Sequence, residues 1–102
     1  MLQDDSLLTA VEAWHARWSA SLANEGVTST LRPKSTGRSK NSVSLDLEAA
    51  GRLGQAVVWD TGEAEIIRAE LGQEPAIEIR AVTSAAQVED LLNELLAIII
   101  SQ

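Results

Sequence analysis

Residues 43–48 alternate strictly between apolar and polar side chains, and this alternation constrains the fold more than any other feature of the chain. Three apolar residues fall on one side of an extended backbone and three polar residues on the other: Val43, Leu45 and Leu47 against Ser44, Asp46 and Glu48. A period of two is typical of an antiparallel strand with one buried face and one face in water. The pattern predicts such a strand from Ser42 to Glu48, and its buried face requires a second layer to cover it.

Apolar residues at helical spacing occupy both ends of the chain and can supply that layer. Ser6 to Glu25 is predicted to form the first helix, with an apolar stripe of Leu7, Leu8, Val11, Trp14, Trp18 and Leu22. Ser84 to Ile100 is predicted to form the second, with a stripe of Val88, Leu91, Leu92, Leu95, Ile98 and Ile99. Ile98, Ile99 and Ile100 are consecutive, so a helix cannot bury all three against one sheet, which leaves one to face a partner or a second copy.

Four further segments have the β-branched or alternating composition of strands. They are Val27 to Arg32, which Pro33 ends, Leu53 to Asp60, Glu63 to Glu70, and Ala76 to Val82. In the last of these strands, Ile77 and Ile79 are expected to face the core. The segment from Pro33 to Asn41 is polar and lacks periodicity, which predicts a loop.

The hairpin at Thr61 and Gly62 decides which side chains of its two strands face the core. A loop of two residues pairs Trp59 with Ala64 and Val57 with Ile66 on the core face. It places Val58 on the other face, and a bulge at Gly62 shifts the register by one residue. Trp59 is therefore expected in the core, the alternative being a half-exposed Trp that anchors an interface.

The order of elements is helix, about five strands in a meander, and helix, within 102 residues. This order predicts the α+β class, with an antiparallel meander sheet of about five strands and both terminal helices packed on one face. A chain of this length supports a single domain, residues 1–102.

Charge and composition limit the possible partners. The chain has 15 Asp and Glu against 8 Lys and Arg, a net charge of −7, which disfavours nucleic acid and anionic membranes. It contains no Cys, so disulfides, thiolate metal sites and cysteine nucleophiles are excluded. The start, Met1 to Asp5, lacks the basic and apolar regions of a signal peptide, and a cytoplasmic location is expected.

Residues that carry catalysis are scarce. His15 is the only histidine, and it is expected to serve packing or the surface rather than chemistry. No Gly-x-Ser-x-Gly elbow occurs, and Gly51 to Gly54 lacks the lysine and following helix of a phosphate-binding loop. The sequence therefore predicts no enzyme, no cofactor and no resident metal.

Carboxylates are the most prominent polar groups of the central strands. Five of them are expected to project from one sheet face: Asp46, Glu48, Asp60, Glu63 and Glu65. Such a face can meet a basic protein partner and steer its association. It can also bind a divalent cation, act as a general acid–base pair, or simply keep the sheet solvated.

Four of the eight basic residues lie within nine positions: Arg32, Lys34, Arg38 and Lys40. This segment is either a second contact element for an acidic partner rim or a flexible connection.

Three segments of the chain resemble the TriTu-type immunity family: Ser44 to Glu48, Gly54 to Glu65 with its Trp59–Gly62 turn, and the Leu-rich Val88 to Leu96. The resemblance implies a small bacterial immunity protein, which accompanies a polymorphic toxin that ADP-ribosylates elongation factor Tu. It implies no catalytic residue, because an immunity protein performs no chemistry.

The expected function is neutralisation of a cognate toxin domain by tight binding that occludes its active site. The protein is expected to be a monomer when free and to form a one-to-one complex with the toxin. The alternative is a small acidic secretion or folding chaperone, which would be a dimer with exposed apolar surface.

Overall fold

The computed structural model describes residues 6–36 and 41–100, with side-chain surroundings given for 6–32 and 41–100. The elements are α1 (Ser6–Asn24), β1 (Thr28–Thr36), β2 (Asn41–Ala49), β3 (Arg52–Trp59), β4 (Glu63–Glu70), β5 (Ala76–Ala81) and α2 (Ala85–Ile100). The strands form one antiparallel sheet in the order β1-β2-β3-β4-β5. The predicted α+β class and meander are therefore confirmed.

The core lies between the sheet and the two helices. α1 lies against β1, β2 and β3, and α2 lies against β2 and β3. The alternation in β2 has the predicted sense, because Val43, Leu45 and Leu47 are all buried beneath the helices. Within the described residues, neither helix is long and apolar enough to cross a membrane.

The side chains at the two ends of α2 follow patterns that can be related to its sequence. The Ser84 hydroxyl accepts a hydrogen bond from the Gln87 backbone N–H at 3.2 Å, which makes Ser84 the N-cap of α2. The Gln87 side chain accepts from the Thr83 N–H at 2.7 Å, one residue before the N–H that a capping box would use. At the other end, Ile99 is buried whereas Ile98 and Ile100 are exposed, so the prediction that Ile98 belongs to the buried stripe is wrong.

The register between β3 and β4 differs from the one that a two-residue loop would give. Trp59 pairs with Glu63 and Val58 with Ala64, so the loop has three residues and Gly62 closes it at a φ of +97°. Val58 and Ala64 are consequently buried, and the prediction that Trp59 faces the core and Val58 the outside is wrong. The structure has the register that a bulge at Gly62 was expected to produce.

The prediction that Ile77 and Ile79 of β5 face the core is also wrong. Their side chains are 65% and 62% exposed, and they share a face with Glu65 and Ile67 of β4. The buried layer ends at β4, whose Ala64 and Ile66 are buried, and no residue of β5 is buried. Glu78 and Arg80 occupy the helix side of β5, where Arg80 donates to Glu94 of α2 at 2.8 Å.

Two smaller predictions need correction. β1 does not end at Arg32 but continues through Pro33 to Thr36, with a register shift between Arg32 and Ser35. An edge strand tolerates proline where the missing N–H would face solvent. Trp18 is 42% exposed although it continues the stripe of α1, because an indole at the margin of a stripe is seldom covered completely.

Candidate functional site

The side of the sheet opposite the helices has no second layer among the described residues, and we call it the open face. Its side chains alternate along each strand with those buried beneath α1 and α2. This side is a candidate functional site because a sheet face with exposed apolar side chains is suited to a partner.

Four of the five predicted carboxylates lie on the open face: Asp46 and Glu48 of β2, and Glu63 and Glu65 of β4. β3 runs between the two pairs. Asp46 is opposite Gln55, which in turn is opposite Ile67, and Glu65 is opposite Val57. The carboxylates therefore form two acidic lines on either side of β3, rather than one compact cluster.

Asp60 does not belong to this face. It lies in the loop after β3, where its N–H donates to the Asn41 carbonyl at 3.0 Å. Its Oδ2 atom is buried and has no hydrogen-bond partner among the described residues. A buried acceptor without a donor costs stability. Because Asp60 follows the end of β3 and its Oδ2 atom is buried, Asp60 is a feature of the loop and not of the acidic surface.

Asp46 is engaged within the chain. Its Oδ2 accepts from Arg32 Nη2 at 3.0 Å, and its Oδ1 accepts from Gln55 Nε2 at 3.0 Å. Arg32, the first residue of the predicted basic segment, thus offsets part of the negative charge of the open face. Lys34 lies in β1, and Arg38 and Lys40 are outside the described residues.

Glu48 and Glu65 differ from Asp46, because neither makes a hydrogen bond or ion pair within the described part of the chain. Glu63 accepts from the Thr61 hydroxyl at 3.2 Å. The two unengaged carboxylates are therefore the ones whose charge is fully available to an incoming partner.

Large apolar side chains stand between and beside the carboxylates. They are Leu53, Val57 and Trp59 of β3, Ile67 of β4, and Ile77 and Ile79 of β5. Reasoning from the sequence missed most of them, because it assigned Val57, Trp59, Ile77 and Ile79 to the core. For Val57 and Trp59, the signal that could have shown their side of the sheet is Asp60-Thr61-Gly62 as a three-residue loop, with its glycine in the left-handed position.

A groove of about 650 Å³ lies between the end of α2 and the strands β3 to β5. Leu53 and Ile98 supply apolar lining, and Arg52 pairs with Glu70 at 3.3 Å beside them. Among residues 6–36 and 41–100, no group of three or more His, Asp and Glu residues is arranged to hold a metal ion.

Glu78 and Arg80 of β5 have pKa values that differ from their ordinary ones. Arg80 donates to Glu78 at 2.8 Å and to Glu94 of α2 at 2.8 Å. The hydrogen bond from Arg80, with the attraction of its charge, holds the pKa of Glu78 below its ordinary value. The same two carboxylates raise the pKa of Arg80.

A two-layer α+β protein whose uncovered sheet face mixes carboxylates with exposed aliphatic side chains and a half-buried Trp is suited to bind another protein. The family model described as "Immunity protein TriTu" matches residues 9–98, and the chain therefore belongs to the TriTu immunity protein family. No curated protein and no solved structure matches the chain. Membership gives the chain a role in toxin immunity and a protein, the cognate toxin, as its partner.

Proposed function

We propose that this protein neutralises its cognate toxin by laying the open face over the toxin's active site as a steric plug. The observation that carries the proposal is the uncovered sheet face, on which Glu48 lies opposite the exposed Leu53 of β3 and Glu65 lies opposite the half-buried Val57. The chain itself performs no chemistry in this mechanism and needs no cofactor. It acts in the cytoplasm, where the toxin would otherwise reach its target.

The two kinds of side chain have separate tasks in the proposed complex. Apolar area that leaves water at the centre of an interface supplies most of the affinity, and Trp is the residue type most often found in that position. Trp59 and Val57 lie beside Glu63 and Glu65 of β4 and opposite two serines of β2, and they are suited to be this centre. The surrounding carboxylates raise the association rate and select for a basic surface.

The class of toxin is suggested by the resemblance to the TriTu-type immunity family, and the charge of the open face is compatible with it. A toxin of the ADP-ribosyltransferase type binds NAD, whose pyrophosphate requires an electropositive cleft. A face of negative charge can cover such a cleft and exclude the dinucleotide. We therefore propose an ADP-ribosyltransferase-type toxin, with elongation factor Tu as its target, as the partner of the open face.

Calorimetry with the purified cognate toxin domain, combined with its activity in the same mixtures, tests the proposal. We expect nanomolar binding with one toxin per chain, and loss of toxin activity in proportion to the bound fraction. Binding without inhibition would contradict the steric plug and would support a chaperone. An absence of binding would contradict the function altogether.

A further inference from the structure

The strand β5 is an unprotected edge of the sheet. The sheet has two edges, β1 and β5. Pro33 and the register shift after Arg32 interrupt β1, and such irregularities discourage the addition of another strand. β5 has no proline between Ala76 and Ala81, and its Ile77 and Ile79 side chains are more than half exposed.

The backbone groups that β5 offers can be read from one hydrogen bond. The Val82 N–H donates to the Gly62 carbonyl of the β4 side at 2.9 Å. In an antiparallel ladder, alternate residues turn both backbone groups to the same neighbour. Arg80 and Glu78 therefore direct theirs toward β4, whereas Ile77, Ile79 and Ala81 direct their N–H and C=O groups outward.

We infer that a second copy of this chain pairs with β5 across a two-fold axis at Ile79. Antiparallel pairing about this point places Ile79 opposite Ile79 of the second copy and Ile77 opposite Ala81. Each of these pairs joins residues whose backbone groups point outward, so every outward N–H and C=O from Ile77 to Ala81 gains a partner.

The charged residues of β5 specify the same register. With Ile79 at the axis, Glu78 of each copy is opposite Arg80 of the other, and opposite charges at directly opposed positions attract. A shift by two residues in one direction places Glu78 opposite Glu78, and a shift in the other direction places Arg80 opposite Arg80. Both shifts oppose like charges and leave outward backbone groups unpaired, so the edge is complementary to itself in one register.

The dimer has one sheet continuous across both copies. A two-fold axis perpendicular to the sheet keeps the two open faces on the same side, so each copy retains its own Glu48 and Glu65 for a toxin. The Ile79 side chains, 62% exposed in one copy, contact each other at the centre. In this proposal the free protein is a dimer, whereas the sequence alone led to the expectation of a monomer.

Two charge-reversal variants, examined singly and as a mixture, test this dimer in the absence of toxin. Sedimentation of the full chain is expected to show a mass that rises to twice that of one chain between micromolar and several hundred micromolar concentration. Glu78→Arg or Arg80→Glu alone opposes like charges across the axis, and we expect each to weaken the dimer at least tenfold. An equimolar mixture of the two variants restores both opposite-charge pairs and should restore the dimer as a heterodimer.

The control for Arg80 is Glu94→Gln, which removes the bond from Arg80 to α2 within one chain and leaves β5 unchanged. This variant should dimerise like the unaltered protein. A monomer at all these concentrations, reversal variants that still dimerise, or a mixture that stays monomeric would each overturn the proposal.

Ile79→Pro provides a second, independent test. The substitution removes an N–H that points outward and leaves the hydrogen bonds to β4 in place, so the melting temperature should show that the fold survives. We expect this variant to be a monomer at all of these concentrations. A variant that folds and still dimerises would overturn the proposal.

Discussion

Trp14 of α1 donates a hydrogen bond from Nε1 to Oδ1 of Asn93 on α2 at 3.0 Å, and this bond joins the two ends of the chain. The Trp14 side chain is only 3% exposed, so its N–H has little access to water. Asn93 is an exposed residue of α2 that directly follows the buried Leu92. The bond therefore links the two helices at the margin of their contact.

Asn93→Ala should destabilise the protein by about 1 kcal/mol, because it removes the part-buried hydrogen bond from the Trp14 indole. Chemical denaturation measures the change in the free energy of unfolding. Glu89→Ala, at an exposed position of the same helix, is the matched control and should change this free energy by less than about 0.5 kcal/mol. Equal stability of the two variants would show that the hydrogen bond contributes nothing.

Gly54 of β3 lies directly beneath α2, and a Cβ atom there would stand 2.7 Å from Leu95 Cδ1 and 3.0 Å from Ile99 Cδ1. Gly54→Ala should therefore cost about 1–3 kcal/mol of stability through overpacking. In a Leu95→Ala background, where the neighbouring side chain is shorter, Gly54→Ala should cost clearly less. If the effects of Gly54→Ala and Leu95→Ala on the free energy of unfolding are additive, the close approach of Leu95 to Gly54 is contradicted.

Ala50 has a φ of +48° in the turn between β2 and β3, followed by Gly51 at +81°. Two positive φ angles are typical of a type I′ turn, whose preferred first residue is Asn. Ala50→Asn should raise stability by roughly 0.5–1 kcal/mol, since it relieves left-handed strain. A higher midpoint of thermal unfolding is the expected result. An unchanged or lower midpoint would argue against this turn.

The pKa of Glu78 lies below its ordinary value because Arg80 donates a hydrogen bond to its carboxylate. A lowered pKa in the folded state means that this contact stabilises the fold above the ordinary carboxyl pKa of 4.5 and loses its effect as the pH falls through the folded value. Carbon NMR titration of the side chain should report this low pKa. Arg80→Gln should return the pKa of Glu78 toward its ordinary value, and a titration unaffected by the substitution would contradict the assignment.

Most of the fold could be predicted from the sequence because its signals are local. The strict alternation around Leu45 and the capping residues of α2 each determine an element without knowledge of the rest. The exposure of Ile77 and Ile79 could not be predicted in this way. It depends on how far the helices extend over the sheet, and alternation alone does not say which face of a strand is covered.

The candidate site could be predicted only in part for the same reason. The side of the sheet on which Asp46 and Glu48 lie can be predicted from the alternation within their own strand. The side on which Glu65 lies depends on the length of the loop that precedes its strand. Asp60 was misplaced because the loop has three residues and begins with it. That Asp46 is bound to Arg32 depends on two strands coming together, and no local pattern carries that information.

The affinity of the cognate toxin domain for an open-face variant tests the central claim most directly. Glu48→Lys with Glu65→Lys reverses two carboxylates that have no partner within the described chain, so the fold should be unaffected. We expect the dissociation constant to rise about tenfold or more, chiefly through slower association. Glu89→Lys, the same reversal on α2, should leave the affinity unchanged. Equal affinities for both variants would contradict toxin binding by the open face.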